Sequence, residues 1–74
     1  MAKLDKMSRQ EIHELIDSYV HHERDRMIMK RRLTDGITYE KLSEEFDLSV
    51  CQVKNIVYKH KERLIEILRR KDYG

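Results

Sequence analysis

Apolar residues recur at helical intervals along most of the chain. Ser8-Arg9-Gln10-Glu11 fits a capping box, in which the serine accepts from the amide three residues on and the glutamate reaches back. Ile12, Leu15, Ile16, Tyr19 and Val20 follow on one face. The polar run His21-His22-Glu23-Arg24-Asp25-Arg26 interrupts this stripe, Met27, Ile28 and Met29 resume it, and Leu33 closes it. The pattern predicts helix from Ser8 to about Leu33, as one long helix or as two joined near His21; no proline or glycine forces a break. Asp35-Gly36 is the clearest stop, because glycine accepts the left-handed backbone that ends helices. Thr38 then caps a helix over Tyr39 to Phe46, with Leu42 and Phe46 on one face. Asp47-Leu48-Ser49 is turn-like, and Ser49-Val50-Cys51-Gln52 is a second capping box. Val50, Val53, Val57, His60, Leu64 and Ile67 then alternate steps of three and four, carrying a last helix to about Lys71, with Ile56, Ile65 and Leu68 widening its apolar face.

These elements predict an all-α fold, a small helical bundle with a helix-turn-helix motif and a long C-terminal recognition helix. Residues 1–7 are expected to be an N-terminal tail, residues 8–71 a single domain, and residues 38–58 the motif. The motif needs a small residue in its first helix where the second crosses, and Ser43 stands there. It needs a residue tolerant of a left-handed turn, filled by Asp47. Leu48 is placed to plug the turn, Ser49 to cap the second helix, and Val53 and Ile56 to face inward.

Composition narrows the function. A chain of 74 residues buries only about 60% of its unfolded surface, which leaves no room for a deep substrate cavity. Cys51 is the single cysteine, so an internal disulfide is excluded and a reducing, cytoplasmic setting is expected. The N-terminal residues lead into no long apolar run, so neither a signal peptide nor a membrane span is expected. The net charge of +2 is unevenly spread: residues 50–74 carry seven basic and three acidic side chains, residues 36–49 one and four. Positive charge therefore collects where a phosphate-binding surface needs it.

The segment Thr38 to Tyr58 and its flanks resemble region 4 of bacterial RNA polymerase sigma factors. The resemblance covers roughly Glu23 to Leu64. It rests on Glu23-Arg24 opening a helix, Leu33-Thr34-Asp35-Gly36-Ile37-Thr38-Tyr39 leading into the motif, Leu42-Ser43-Glu44-Glu45-Phe46-Asp47-Leu48-Ser49 through the turn, and the apolar spacing of Val53, Ile56 and Leu64. The chain looks like the small sigma-like proteins often encoded by prophages and mobile elements. The resemblance implies that the second motif helix enters the major groove of double-stranded DNA. Two departures stand out: there is no space for a promoter-melting region, and Val50, Cys51 and Gln52 occupy positions where family members that read the −35 element often carry basic residues.

Sorted by face, the base-contact candidates are Ser49, Val50, Cys51, Gln52, Lys54, Asn55 and Tyr58. Gln52 and Asn55 have the paired donor and acceptor that read adenine, Val50 suits a thymine methyl, and Lys54 suits guanine or phosphate. Lys59, Lys61 and Arg63 are phosphate candidates, as are Thr38 and Tyr39 at a helix N-terminus. Plainer roles stand beside these: Gln52 as a capping partner, Tyr58 as cover for the core edge, Cys51 as a small filler, and the basic C-terminus as a solvated face. Met7, Met27 and Met29 read as packing residues. His13, His21, His22 and His60 lack a metal-ligand spacing, and no catalytic signature is present, so neither a cofactor, a metal nor an enzyme activity is expected. The main alternative to DNA binding is a protein-interaction module that binds RNA polymerase or another regulator, with Glu40, Glu44, Glu45 and Asp47 facing a basic partner. The stripes Ile12, Leu15, Ile16, Tyr19 and Val57, His60, Leu64, Ile67 can pair within one chain or between two, and a monomer is preferred over a homodimer.

Overall fold

A computed structural model describes residues 6–71. Among the described residues the chain forms α1 (Arg9–Tyr19), α2 (Glu23–Asp35), α3 (Tyr39–Phe46) and α4 (Val50–Lys71), and no strand. The all-α expectation holds. Each expected cap is present. Ser8 and Glu11 form the reciprocal pair, with Glu11 N–H to Ser8 Oγ at 3.2 Å and Ser8 N–H to Glu11 Oε1 at 2.9 Å. Thr38 Oγ1 accepts from Lys41 N–H at 3.2 Å. Both expected stops are left-handed, Gly36 at φ 67° and Asp47 at φ 57°. Of the expected tail, residues 1–5 lie outside the described residues, and Met7 is half-buried against the core.

The region Ser8 to Leu33 is two helices. α1 stops at Val20, whose backbone is extended while its side chain is buried. Continuous helix from residue 9 to residue 35 would be a rod of ~40 Å with its apolar face uncovered. Breaking it lets α1 fold back antiparallel on α2, as the cross-links Arg9–Asp35 at 2.7 Å, His13–Thr34 at 3.3 Å and Asp17–Lys30 at 2.8 Å record. Arg26 Nη1 donates to the Val20 and His21 carbonyls at 3.3 and 3.4 Å, satisfying groups the break exposes. α3 and α4 form a second hairpin around Asp47, and the link Gly36–Thr38 joins the two hairpins.

One cluster makes the core: Ile12, Leu15, Ile16 and Val20 from the first arm, Ile28 and Met29 from α2, Leu42 from α3, and Val53, Val57 and Leu64 from α4. Leu48 and Ile56 are half-buried against it, as the turn plug and the inward partner require. Met27 is 49% exposed and does not pack as expected; three consecutive apolar residues cannot all face one side of a helix. α4, with 22 residues, is ~33 Å long and sets the longest dimension of 39 Å. Val57 and Leu64 are covered within the one chain, each 1% exposed.

Leu64→Asp places an unpaired charge in this core and is expected to abolish the helical circular-dichroism signal at 25 °C, a loss of at least ~3 kcal/mol. Gly36→Ala is expected to cost about 1 kcal/mol in urea unfolding, from the left-handed backbone alone. An added Cβ there meets nothing within 4 Å, so a much larger loss would contradict this account.

Candidate nucleic-acid interface

α4 turns by about 100° per residue, so its inward stripe fixes what its other faces carry. With Val53, Val57 and Leu64 inside, Cys51 and Asn55 lie on the outermost row, and both are exposed. Lys54, Tyr58 and Lys61 share one flank, at steps of four and three. Gln52, Lys59 and Arg63 share the other, at steps of seven and four. The expected phosphate contacts therefore divide between the two sides of the outermost row.

The Lys54 flank meets α3. The Tyr39 and Tyr58 rings pack edge to face with centroids 6.2 Å apart. Lys54 Nζ lies 5.8 Å from the centre of the Tyr39 ring. Arg32, from α2, stacks over the same ring at 4.3 Å and donates through Nη1 to the Ile37 carbonyl at 3.0 Å. Arg32 was not among the sequence candidates. Nothing local marks it, because its role depends on Tyr39 arriving from another helix. A hydrogen bond with Tyr39 holds the Tyr58 phenol above its ordinary pKa, against the pull of the Arg32 charge. Tyr58 is 52% exposed, and its neutral hydroxyl is engaged with Tyr39. Thr38 is exposed beside this cluster, with its oxygen engaged as the α3 cap.

The other flank borders an open groove of about 1020 Å³ between the α1–α2 turn and the second half of α4. Lys59 and Arg63 line it with His21, His22, Asp25 and His60.

The remaining candidates separate chemically. Ser49 Oγ accepts from Gln52 N–H at 3.1 Å, and Gln52 Oε1 accepts from Ser49 N–H at 2.9 Å. Both are capping groups, and the cap turns the Gln52 amide back onto Ser49 and away from a paired contact with adenine. Val50 is half-buried. Asn55 makes only a weak contact, Nδ2 to Cys51 Sγ at 3.9 Å, and keeps both amide functions available.

The buried pair behind this surface was also missed. His60 occupies an inward position of α4, and its Nε2 lies 2.9 Å from Asp25 Oδ2, with side-chain exposures of 14% and 10%. Burial opposes ionisation of Asp25, but the His60 hydrogen bond and charge, joined by Arg24 at 3.3 Å, outweigh it and hold the carboxyl below the usual range. Asp25 also lies in the first turn of α2, where a negative charge is favoured.

Among the described residues, no group of three or more His, Cys, Asp or Glu is placed to hold a metal ion, and no helix is long and apolar enough to cross a membrane. No protein-family model, curated protein or solved structure is significantly similar to the chain.

Because the folded pKa of Asp25 lies below its unfolded value of about 3.9, its contribution to stability is complete above pH ~4 and is lost as the pH falls through the folded value. Asp25→Asn is therefore expected to melt below the parent at pH 7, with the gap closing as the pH falls below about 4. A gap of constant size in thermal melts through that fall in pH would contradict the assignment.

Proposed function

We propose that the chain is a sequence-specific double-stranded DNA-binding module of helix-turn-helix type, resembling sigma region 4, and that it acts as a cytoplasmic transcription regulator without enzymatic activity. One observation carries the reading. The exposed row Cys51–Asn55 on α4 is flanked on one side by Lys54, Tyr58 and Lys61 and on the other by Lys59 and Arg63. A recognition helix needs that arrangement, with base-reading groups at the centre and phosphate-binding groups on each side. A helix about 10 Å across fits a major groove about 12 Å wide, which brings both flanks near the backbone strands. Arg32, stacked on Tyr39, extends the basic flank beyond the motif. The chain is read as a monomer, since one copy covers Val57 and Leu64.

The alternative reading, binding to RNA polymerase or another regulator, draws on the exposed Glu40, Glu44 and Asp47. A polymerase pull-down beside a salt-dependent DNA titration separates the two.

Selection from random duplex DNA supplies the preferred site for the decisive comparison. Asn55→Ala is expected to lose about 1–3 kcal/mol of discrimination, weakening the preferred site more than random DNA. Lys59→Ala is expected to weaken both and to reduce the salt slope by about 1. Equal losses on both DNAs for Asn55→Ala remove it from the reading set. Absence of salt-dependent binding in the parent protein defeats the proposal.

A further inference from the structure

The buried Asp25–His60 pair joins the two hairpins far from the link that connects them. Asp25 stands in the first turn of α2, whereas Gly36 ends that helix; His60 stands mid-way along α4. Near the link the hairpins also meet through the exposed Arg31–Glu45 pair and Arg32 on Tyr39; away from it, the rest of the contact is apolar, with Ile28 and Met29 of α2 and Val53, Val57 and Leu64 of α4 in one cluster. Such contact is non-directional. Apolar contact by itself sets no sharp angular preference for α4. A hydrogen bond does not share that tolerance, because it weakens steeply as its angle departs from linear. Asp25 is the only charged side chain buried in the core among the described residues. A rotation of α4 that parts it from His60 leaves the buried carboxylate with only the half-exposed Arg24 at 3.3 Å as a partner, which is more costly than a shifted methyl contact.

We infer that Asp25 and His60 are positioning residues that fix the rotation of α4 on α2, and thereby the face α4 presents relative to Arg32. The consequence for DNA rests on the function proposed above. Asn55 reads from the second hairpin, whereas Arg32 is anchored to the first; their mutual placement is set where the hairpins meet. Buried ion pairs commonly add little net stability, and apolar replacements of similar size are often tolerated. The inference is therefore distinguishable from a purely stabilising role.

The test replaces the pair by Asp25→Leu with His60→Leu, and compares it with Asp25→Asn, which keeps an acceptor for His60 Nε2. Each variant is measured in two ways. Amide NMR spectra report the α2–α4 contact at Ile28, Met29 and Val57. Titrations on the selected site and on random duplex report discrimination. The leucine pair is expected to remain helical and to melt at or above the parent. Its contact-region resonances are expected to broaden or split, and its discrimination to fall about tenfold while affinity for random DNA stays within about twofold. Asp25→Asn is expected to keep one set of resonances and discrimination within about threefold of the parent. Should the leucines overpack and unfold the chain, Asp25→Ala with His60→Ala melts below the parent and carries the same expectations for the resonances and for discrimination. Unchanged contact-region resonances in a folded variant lacking the pair overturn the inference. If the parent shows no DNA preference, the proposed function fails, while the NMR comparison still decides whether the pair fixes α4.

Discussion

Val53, Val57 and Leu64 are the positions on which the rest of the molecule depends. They give α4 an inward stripe buried against both other arms of the fold, with Leu42 closing it from α3. A chain of 74 residues has too little mass to keep its core and its working surface on separate elements. α4 therefore serves as the central beam and also carries the candidate interface. Helical periodicity makes this possible, since Lys54, Asn55 and Tyr58 lie between buried positions yet face outward. The arrangement also couples the two roles. Any rotation that changes what α4 buries changes the face it presents, so the orientation of the candidate surface is a property of the core.

The features legible in the sequence are those encoded locally. Ser8, Thr38 and Ser49 act within three residues of themselves, and Gly36 and Asp47 act on their own backbone. The α4 stripe was likewise readable from spacing alone. The break at Val20 was not, because its cause is tertiary: it allows α1 to fold back, and Arg26 then supplies donors to the freed carbonyls. Asp25 was hidden in a run of polar residues that reads as a solvated surface. One signal did point to it. His60 is a polar residue at an inward position of an otherwise apolar stripe, and such a group requires a partner. Its identity could not follow from spacing, since the partner lies 35 residues away. Within the candidate site, the local capping of Gln52 was readable as one of two roles, whereas the stacking of Arg32 on Tyr39 needed the assembled helices.

The acidic character of α3 weighs against the proposed DNA reading, and the placement of its charges tempers it. Arg31 forms a two-pronged contact with Glu45, Nε to Oε1 at 2.8 Å and Nη2 to Oε2 at 2.7 Å. Both groups are substantially exposed, so the contact orients α3 on α2 more than it stabilises the fold. It also places a guanidinium against one of the carboxylates nearest the turn. Cations from α2 thus accompany α3 twice, Arg31 at Glu45 and Arg32 at Tyr39, which softens the negative charge that the linear sequence assigns to this segment.

Along α4 the carboxylates set a boundary. Residues 48–61 contain no Asp or Glu but include Lys54, Lys59 and Lys61. The first acid after the turn is Glu62, followed by Glu66, which Arg70 pairs at 2.9 Å. The acid-free part of the helix, residues 50–61, spans ~18 Å, about three turns. A major groove about 8.5 Å deep admits the outer rows of such a segment and leaves the helix beyond it outside. Under the proposed function, electrostatics and geometry point to the same stretch of α4 as the DNA-facing segment. Val53 and Val57 pack the first half of α4 against the bundle, and Leu64, Ile65 and Leu68 pack the second. The helix is anchored along its whole inward stripe, so Asn55 faces outward from a row that the core supports from behind.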